Sequence, residues 1–365
     1  MNTPNHGFPE LSPQKGISVS VGRSWADTSL HWVNVLGQIC TGWSANWTDL
    51  GNRDNVGHAY SLMPYLERGV GRRATPAWSA RIALGMSYID RKHHQQKNPL
   101  NLATSTDVNW TFRAMIQRNF HSELGFRWKL GLGYIHHSNG HIRLPNQGYN
   151  SFVLSMGIES SRSIGYLSHT QEGAQLVHNW LSVRLGLGMN SLSLDYNDPQ
   201  PVLDLDISFS RVYRHTLRIG FGLYLRHYRH YKNLLQSEDV VLEAYPDLIE
   251  RPYWNASSCG LDVELELLMG HVGAEMDIGI NLFKPAYKLD WMLNEGHFEE
   301  GEYHYGEMNW YYTVKRYIAS RLALNYYLKH TEKEWQWNPY ASISLQANLG
   351  QADFTSLNFG IVRKW

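Results

Sequence analysis

The chain has 365 residues, with 33 basic and 33 acidic side chains, 43% apolar residues and 13% aromatic ones. This balance excludes the basic excess or stripe of a nucleic-acid binder. No run of about 18 apolar residues occurs, which excludes a transmembrane helix but not a membrane barrel, whose strands carry a weak alternating signal.

The first residues, 1–15, form a polar segment without an apolar stretch. It is no signal peptide as it stands, so export implies a leader already removed or a misassigned start. From residue 16 to 365 the dominant pattern has period two, the mark of strands whose successive side chains face opposite ways. Weaker candidates cover 16–24, 38–47 and 58–65, and stronger ones 79–90 and 105–119. Cys40 lies in this stretch and Cys259 far beyond it. Without CxxC spacing they do not form a structural zinc site, and two unpaired small apolar residues are preferred to a disulfide.

Next, Leu124, Phe126, Trp128, Leu130, Leu132 and Tyr134 alternate with Gly125, Arg127, Lys129, Gly131 and Gly133. Phe152, Leu154, Met156 and Ile158 alternate with Ser151, Ser155, Gly157 and Glu159, and Leu181 to Met189 repeats the pattern. Further strands are expected at 204–214, 216–230, 261–267, 272–281, 317–329, 339–350 and 353–364. Long polar connections are expected at 91–103, 163–178, 231–256 and 285–315, the last as an exposed mobile loop. His227 and His230 resemble metal spacing only loosely and fit a strand end and loop.

A soluble sandwich also alternates. Four features favour a membrane barrel instead. Several strands reach ten residues or more. The polar face is rich in Gly, Ser and Asn. Trp110, Trp128, Tyr134, Trp180, Tyr224 and Tyr340 cluster near strand ends, where they would form interfacial girdles. The chain closes on a strand ending in Trp365. The expected fold is all-β: a single transmembrane antiparallel β-barrel of about 12–14 strands over residues 16–365, in the outer membrane of a Gram-negative bacterium.

Chemistry concentrates in residues 134–151. The apolar face of the strand before the turn continues in register to His136 and Ser138, and that of the returning strand begins at Asn150. In a barrel all three stand on the outer wall, at one end of a hairpin. A base, a hydroxyl and an amide meeting there make a nucleophile, its base and a group that fixes the imidazole. The backbone N–H groups of Ser138 and Gly140 are candidates to hold the oxyanion. Arg143 and Arg118 are candidate contacts for lipid phosphates, though solvated interfacial cations explain them equally well. His137 and His141 read as loop residues turned away. His-x-Ser alone is a chance pattern, and Asn-Gly with Pro-Asn-x-Gly is ordinary turn chemistry. A polar trio on an apolar face is the stronger signal, since such groups are costly against lipid.

The run His136-x-Ser138-Asn139 followed by Pro145-Asn146-x-Gly148 resembles the active-site segment of the outer-membrane lipid A 3-O-deacylases, the PagL type also called acyloxyacyl hydrolases. The resemblance spans about residues 58–162, including Asn101 to Ser105, and leaves the C-terminal half as extra strands. It implies a catalytic His136 and Ser138 on the barrel exterior and hydrolysis of ester-linked acyl chains of lipid A. The family's best-known members have Glu where this chain has Asn150. A Ser, His and Asn set is instead similar to the outer-membrane phospholipases A. That second resemblance gives glycerophospholipids as the alternative substrate and raises calcium, for which no ligands are placed; no other cofactor is expected. Lipid A or phospholipid and the membrane are the expected partners, with a second copy of the chain as an optional one; nucleic acid is not expected. A non-enzymatic barrel or channel that keeps the motif as turn and girdle residues is the remaining alternative.

Overall fold

The computed structural model describes residues 8–365 except 26–28, 38, 71–76, 123–124, 161–176, 238–241, 244, 296, 300–301 and 305. Leu124 and most of the 163–178 connection lie outside the described residues. The protein is all-β and antiparallel, and no described helix is long and apolar enough to cross a membrane. The strands divide between two compact units.

The first unit is a seven-stranded meander: β1 (Lys15–Trp25), β2 (Ile39–Asp49), β3 (His58–Val70), β4 (Trp78–Ile89), β5 (Val108–His121), β6 (Phe126–Ser138) and β7 (Tyr149–Ser160). One short helix, α1 (His31–Leu36), joins β1 to β2. Each strand pairs with its sequence neighbour. In an up-and-down meander of odd number, β1 and β7 run in the same direction, so they cannot close with an antiparallel ladder. The sheet nevertheless curls. Arg113 Nη1 on β5 reaches Ser18 Oγ on β1 at 3.4 Å and Asn46 Oδ1 on β2 at 3.0 Å. The concave face holds a buried ion network, with Glu67 at 2.6 Å from both Arg81 and Lys129, and Lys129 at 2.6 Å from Glu159.

The second unit is a closed barrel of eight strands: β8 (Val177–Asn190), β9 (Gln200–Tyr213), β10 (Leu217–Tyr228), β11 (Ser257–Met269), β12 (Val272–Phe283), β15 (Ile318–Tyr327), β16 (Trp337–Asn348) and β17 (Gln351–Lys364). β17 pairs with β8 and completes the ring. A two-stranded hairpin, β13 (His297–Glu299) with β14 (Glu302–His304), stands apart from it. The β16–β17 connection is a tight turn in which Leu349 and Gly350 take φ of 46° and 79°, the paired left-handed backbone that suits a twisted hairpin.

The alternation read from the sequence is the alternation of the walls. Outward residues are apolar: Phe152, Leu154 and Met156 are 84%, 75% and 80% exposed, and Phe221 and Phe359 are 68% and 73% exposed. A face this apolar and this open is what a bilayer solvates. Inside the closed barrel, seven buried carboxylates (Asp204, Asp206, Asp262, Glu264, Glu266, Glu275, Asp277) meet four buried guanidiniums (Arg184, Arg218, Arg226, Arg321). Arg218 alone binds Glu264, Glu266 and Glu275 at 3.0, 2.6 and 2.5 Å.

Four expectations change. The strands form a seven-stranded sheet and an eight-stranded barrel, in place of one ring over 16–365. Period two reports the facing of a strand, and only hydrogen-bond partners tell which strands share a sheet. The 285–315 connection is no exposed loop. It holds α5 (Tyr287–Asn294) and α6 (Trp310–Tyr317), with Tyr287, Leu289, Trp291, Met292 and Tyr312 buried. Likewise 231–256 carries most of α2 (Arg229–Leu235) together with α3 (Pro246–Ile249) and α4 (Pro252–Asn255). Leu234, Leu235, Leu248, Leu289 and Met292 share one apolar cluster with Phe354 of β17. Finally, Trp110 is buried beside Ser138, and Trp180, Tyr224 and Tyr340 are buried rather than girdling the wall. The positions of these last three share parity with Ser182, Gly222 and Ser342 on the inward face. Both cysteines are free, as preferred.

Candidate catalytic site on the outer wall

The β6–β7 hairpin positions the site. Trp128, Leu130, Leu132, Tyr134, His136 and Ser138 follow one another on the outer face of β6, and Asn150, Phe152, Leu154, Met156 and Ile158 on that of β7. The register places His136 directly opposite Asn150 and Tyr134 opposite Phe152. Directly paired residues on one face bring their side chains within contact. Accordingly His136 Nδ1 lies 2.7 Å from Asn150 Oδ1. An amide oxygen only accepts, so Nδ1 carries the proton and donates, leaving Nε2 with a free lone pair. The Tyr134 hydroxyl donates to the same oxygen.

Ser138 stands two residues beyond His136 on the same face, opposite Trp110 of β5, and is buried. Among the described residues no hydrogen bond joins Ser138 to His136. Such bonds are often long without substrate and tighten only in its presence. His137 is a strand residue, not a loop residue. It turns inward, with Nδ1 at 2.9 Å from Thr111 Oγ1 and 3.1 Å from Ser87 Oγ.

The other candidates separate from this trio. Arg118 pairs with Leu130, eight residues down the strand from Ser138, about 26 Å away at roughly 3.3 Å per residue. It stacks on Trp78 and Phe120 at the opposite end of the sheet. Gly140 and Arg143 fall in the segment Gly140–Leu144, which clusters with the second unit; of the two expected oxyanion donors the first unit holds Ser138. His141 belongs to the same segment, and burial holds its imidazole below its ordinary pKa. His227 and His230 sit at the end of β10 and in α2, with His227 Nδ1 3.0 Å from Ser257 Oγ.

Three features go beyond the sequence reading. Tyr134 reads as part of an apolar row, although its hydroxyl binds Asn150. Gly148, with φ of 73°, lets the backbone pass close to the imidazole: a Cβ there would lie 2.8 Å from His136 Cε1. The connection is also braced by amides. The Asn139 N–H donates to Asn146 Oδ1 at 2.8 Å, Asn139 Nδ2 to Ser105 Oγ at 3.2 Å, the Tyr149 hydroxyl to Asn101 Oδ1 at 2.9 Å and the Gly148 N–H to the Ala103 carbonyl at 2.8 Å. The density of asparagine around the turn is the signal that points to this bracing.

One row of cross-strand neighbours runs from Ser138 through Trp110, Met86, Leu62 and Ala45 to Val19. It leads into an open apolar groove of about 680 Å³ on the outer face, lined by Leu62, Met86, Tyr60, Tyr88, Trp47 and Val108 among others.

An antiparallel barrel with apolar outer walls and polar inner faces is of the outer-membrane β-barrel class. Within that class, residues 15–159, about two fifths of the chain, match the family of lipid A 3-O-deacylases (PagL). This match covers the first unit's strands and includes His136, Ser138 and Asn150. No curated protein matches the chain. Solved structures similar to it include the COG4313 outer membrane channel from Pseudomonas putida F1, at 8% identity and a TM-score of 0.19 with both chains fully covered. The FrpB iron transporter from Neisseria meningitidis (F3-3 variant) matches at 8% identity and a TM-score of 0.20, over 96% of this chain and 63% of that one. FpvA of P. aeruginosa, solved with a heterologous pyoverdine and iron, matches at 9% and 0.19, over 96% and 52%.

Proposed function

We propose that the first unit hydrolyses ester-linked acyl chains of lipid A, with Ser138 as nucleophile, His136 as base and Asn150 as the group that orients the imidazole. The observation that carries this reading is the 2.7 Å bond from His136 to Asn150 on an apolar, outward face, with a serine next in register on that face. The family match over residues 15–159 supports lipid A as the substrate.

In the proposed reaction His136 Nε2 takes the Ser138 hydroxyl proton as Oγ attacks the acyl carbonyl carbon. The tetrahedral oxyanion faces the Ser138 backbone N–H. Collapse breaks the ester C–O bond, and the imidazolium gives its proton to the departing sugar oxygen, which leaves as a hydroxyl. Water, deprotonated by the same imidazole, then releases the fatty acid and regenerates Ser138. The apolar groove along the Leu62–Met86 row, reached from the serine across Trp110, gives the acyl chain a place to lie. Such a substrate need not leave the bilayer to be cut.

The test is lipid analysis with purified protein in mixed micelles. Release of a 3-hydroxy fatty acid from lipid A by wild type, lost in Ser138→Ala, supports the deacylase. Release of lysophospholipid instead assigns the alternative glycerophospholipid substrate. Unchanged acylation of both lipids by wild type removes the enzymatic reading.

A further inference from the structure

Strands β9, β11 and β12 turn seven buried carboxylates into the closed barrel, where they face the guanidiniums of Arg184, Arg218, Arg226 and Arg321. Most of this charge is matched. Glu266 binds Arg218, Asn325 and Tyr327, and Glu275 binds both Arg218 and Arg321. Two carboxylates are not matched in this way. Asp262, 7% exposed, has neither a hydrogen bond nor an ion pair among the described residues, and its Oδ1 is fully enclosed. Asp206, 1% exposed, also has an enclosed Oδ2 with no hydrogen bond; Arg184 comes no nearer than 3.5 Å.

Both oxygens lie close to one backbone position. Gly222 of β10 stands directly opposite Asp262 and presents no side chain. A Cβ on it would lie 2.2 Å from Asp262 Oδ1 and 3.1 Å from Asp206 Oδ2. The missing side chain therefore lets both carboxylates close in on the β10 backbone, with Asp262 Oδ1 standing where a Cβ would be. A third oxygen is within reach, for ligand atoms of Asp206, Asp262 and Glu264 lie within 4.8 Å of one another. A buried carboxylate with no partner is costly. Three buried oxygen donors this close to one another are the donor set of a hard cation, and calcium bonds to oxygen at about 2.3–2.6 Å, enough to span such separations.

We propose that the second unit binds a hard divalent cation of calcium's size inside its barrel, between Asp206, Asp262 and Glu264. The ion neutralises carboxylates of β9 and β11 and ties those two strands together across β10. Apolar clusters lie inside the barrel at its two ends, one around Tyr228, Leu289 and Phe354 and the other around Trp180, Tyr327 and Tyr340. The ion therefore enters while the barrel assembles and is retained afterwards.

The experiment is to refold the full chain from denaturant into detergent micelles with calcium chloride or with EGTA, remove free ion by gel filtration, and measure bound calcium and the thermal unfolding midpoint. The calcium-refolded protein is expected to retain about one equivalent, and by mass action to unfold several degrees higher than the EGTA-refolded protein. Asp262→Asn, which removes a ligand charge, and Gly222→Ala, whose methyl group would displace Asp262 Oδ1, are expected to lose the retained calcium and the difference between the two midpoints. If wild type retains no calcium and unfolds at the same temperature after both treatments, the site does not exist. This outcome is read on wild type alone and needs no variant to fold. Retention of the full equivalent by folded Asp262→Asn also overturns the assignment.

Discussion

An asparagine opposite His136 sets the imidazole's tautomer without supplying a charge. The 2.7 Å bond keeps the Nδ1 proton in place, but a neutral amide does little for the imidazolium that forms as the serine attacks. Two consequences separate orientation from charge. Asn150→Ala is expected to lower kcat on the order of 10²-fold with little change in KM, because a misoriented base acts only on the transition state. Asn150→Glu places an anion at the same register position and is expected to keep or raise kcat. Steady-state release of fatty acid from lipid A measures both. A loss in Asn150→Ala confined to KM contradicts the orienting role. At this scale the sequence is informative: parity alone puts His136, Ser138 and Asn150 on one face. It does not reveal Arg118's distance, since register counts residues along a strand and the serine lies eight positions away. Nor does it reveal that the Tyr134 hydroxyl shares the asparagine's oxygen, because a tyrosine in an apolar row reads as apolar.

At the scale of elements, strands are legible and helices are not. Period two persists over ten or more residues in β6, β8 and β11, whereas α5 and α6 have eight residues each, two turns in which a 3.6-residue period scarcely repeats. Their acidic and aromatic composition looks like a solvated loop, yet the aromatics are what pack. Helix α5 also carries a titratable group. Asp290 accepts from Tyr231 at 3.1 Å and from Asn294 at 2.6 Å, and burial, followed by the neighbouring Asp353 charge, pushes its pKa up from 3.8 to about 7. The folded state therefore holds a proton that the unfolded chain has released. Its stabilising effect is complete below about pH 4 and is lost as pH rises toward 7. Urea unfolding of the refolded protein between these limits is expected to show falling stability, and Asp290→Asn to flatten that part of the profile. An identical slope in the variant would assign the pH dependence to another group.

For the whole molecule, the fold rests on which way the oily rows face. The all-β antiparallel barrel class is readable because a membrane strand must alternate when lipid is on one side and a polar interior on the other. The division into a seven-stranded sheet and an eight-stranded barrel is not readable, since a long connection between strands looks alike within a ring and between two. Direction is testable in both units. Phe152→Arg on β7 and Phe359→Arg on β17 replace residues that are 84% and 73% exposed. On a lipid-facing wall each costs about 2–4 kcal/mol near the bilayer midplane, seen as lowered refolding yield and unfolding midpoint in lipid vesicles. Variants that refold as well as wild type would mean these faces meet water.

The deacylation assay addresses the chemistry of that outward face most directly. Purified wild-type and Ser138→Ala proteins are each incubated with lipid A in mixed micelles, and the lipid is weighed by mass spectrometry. The account predicts loss of one 3-hydroxyacyl chain with wild type and on the order of 10³-fold less product with the variant. Intact lipid A after wild-type treatment, or equal cleavage by both proteins, would contradict it.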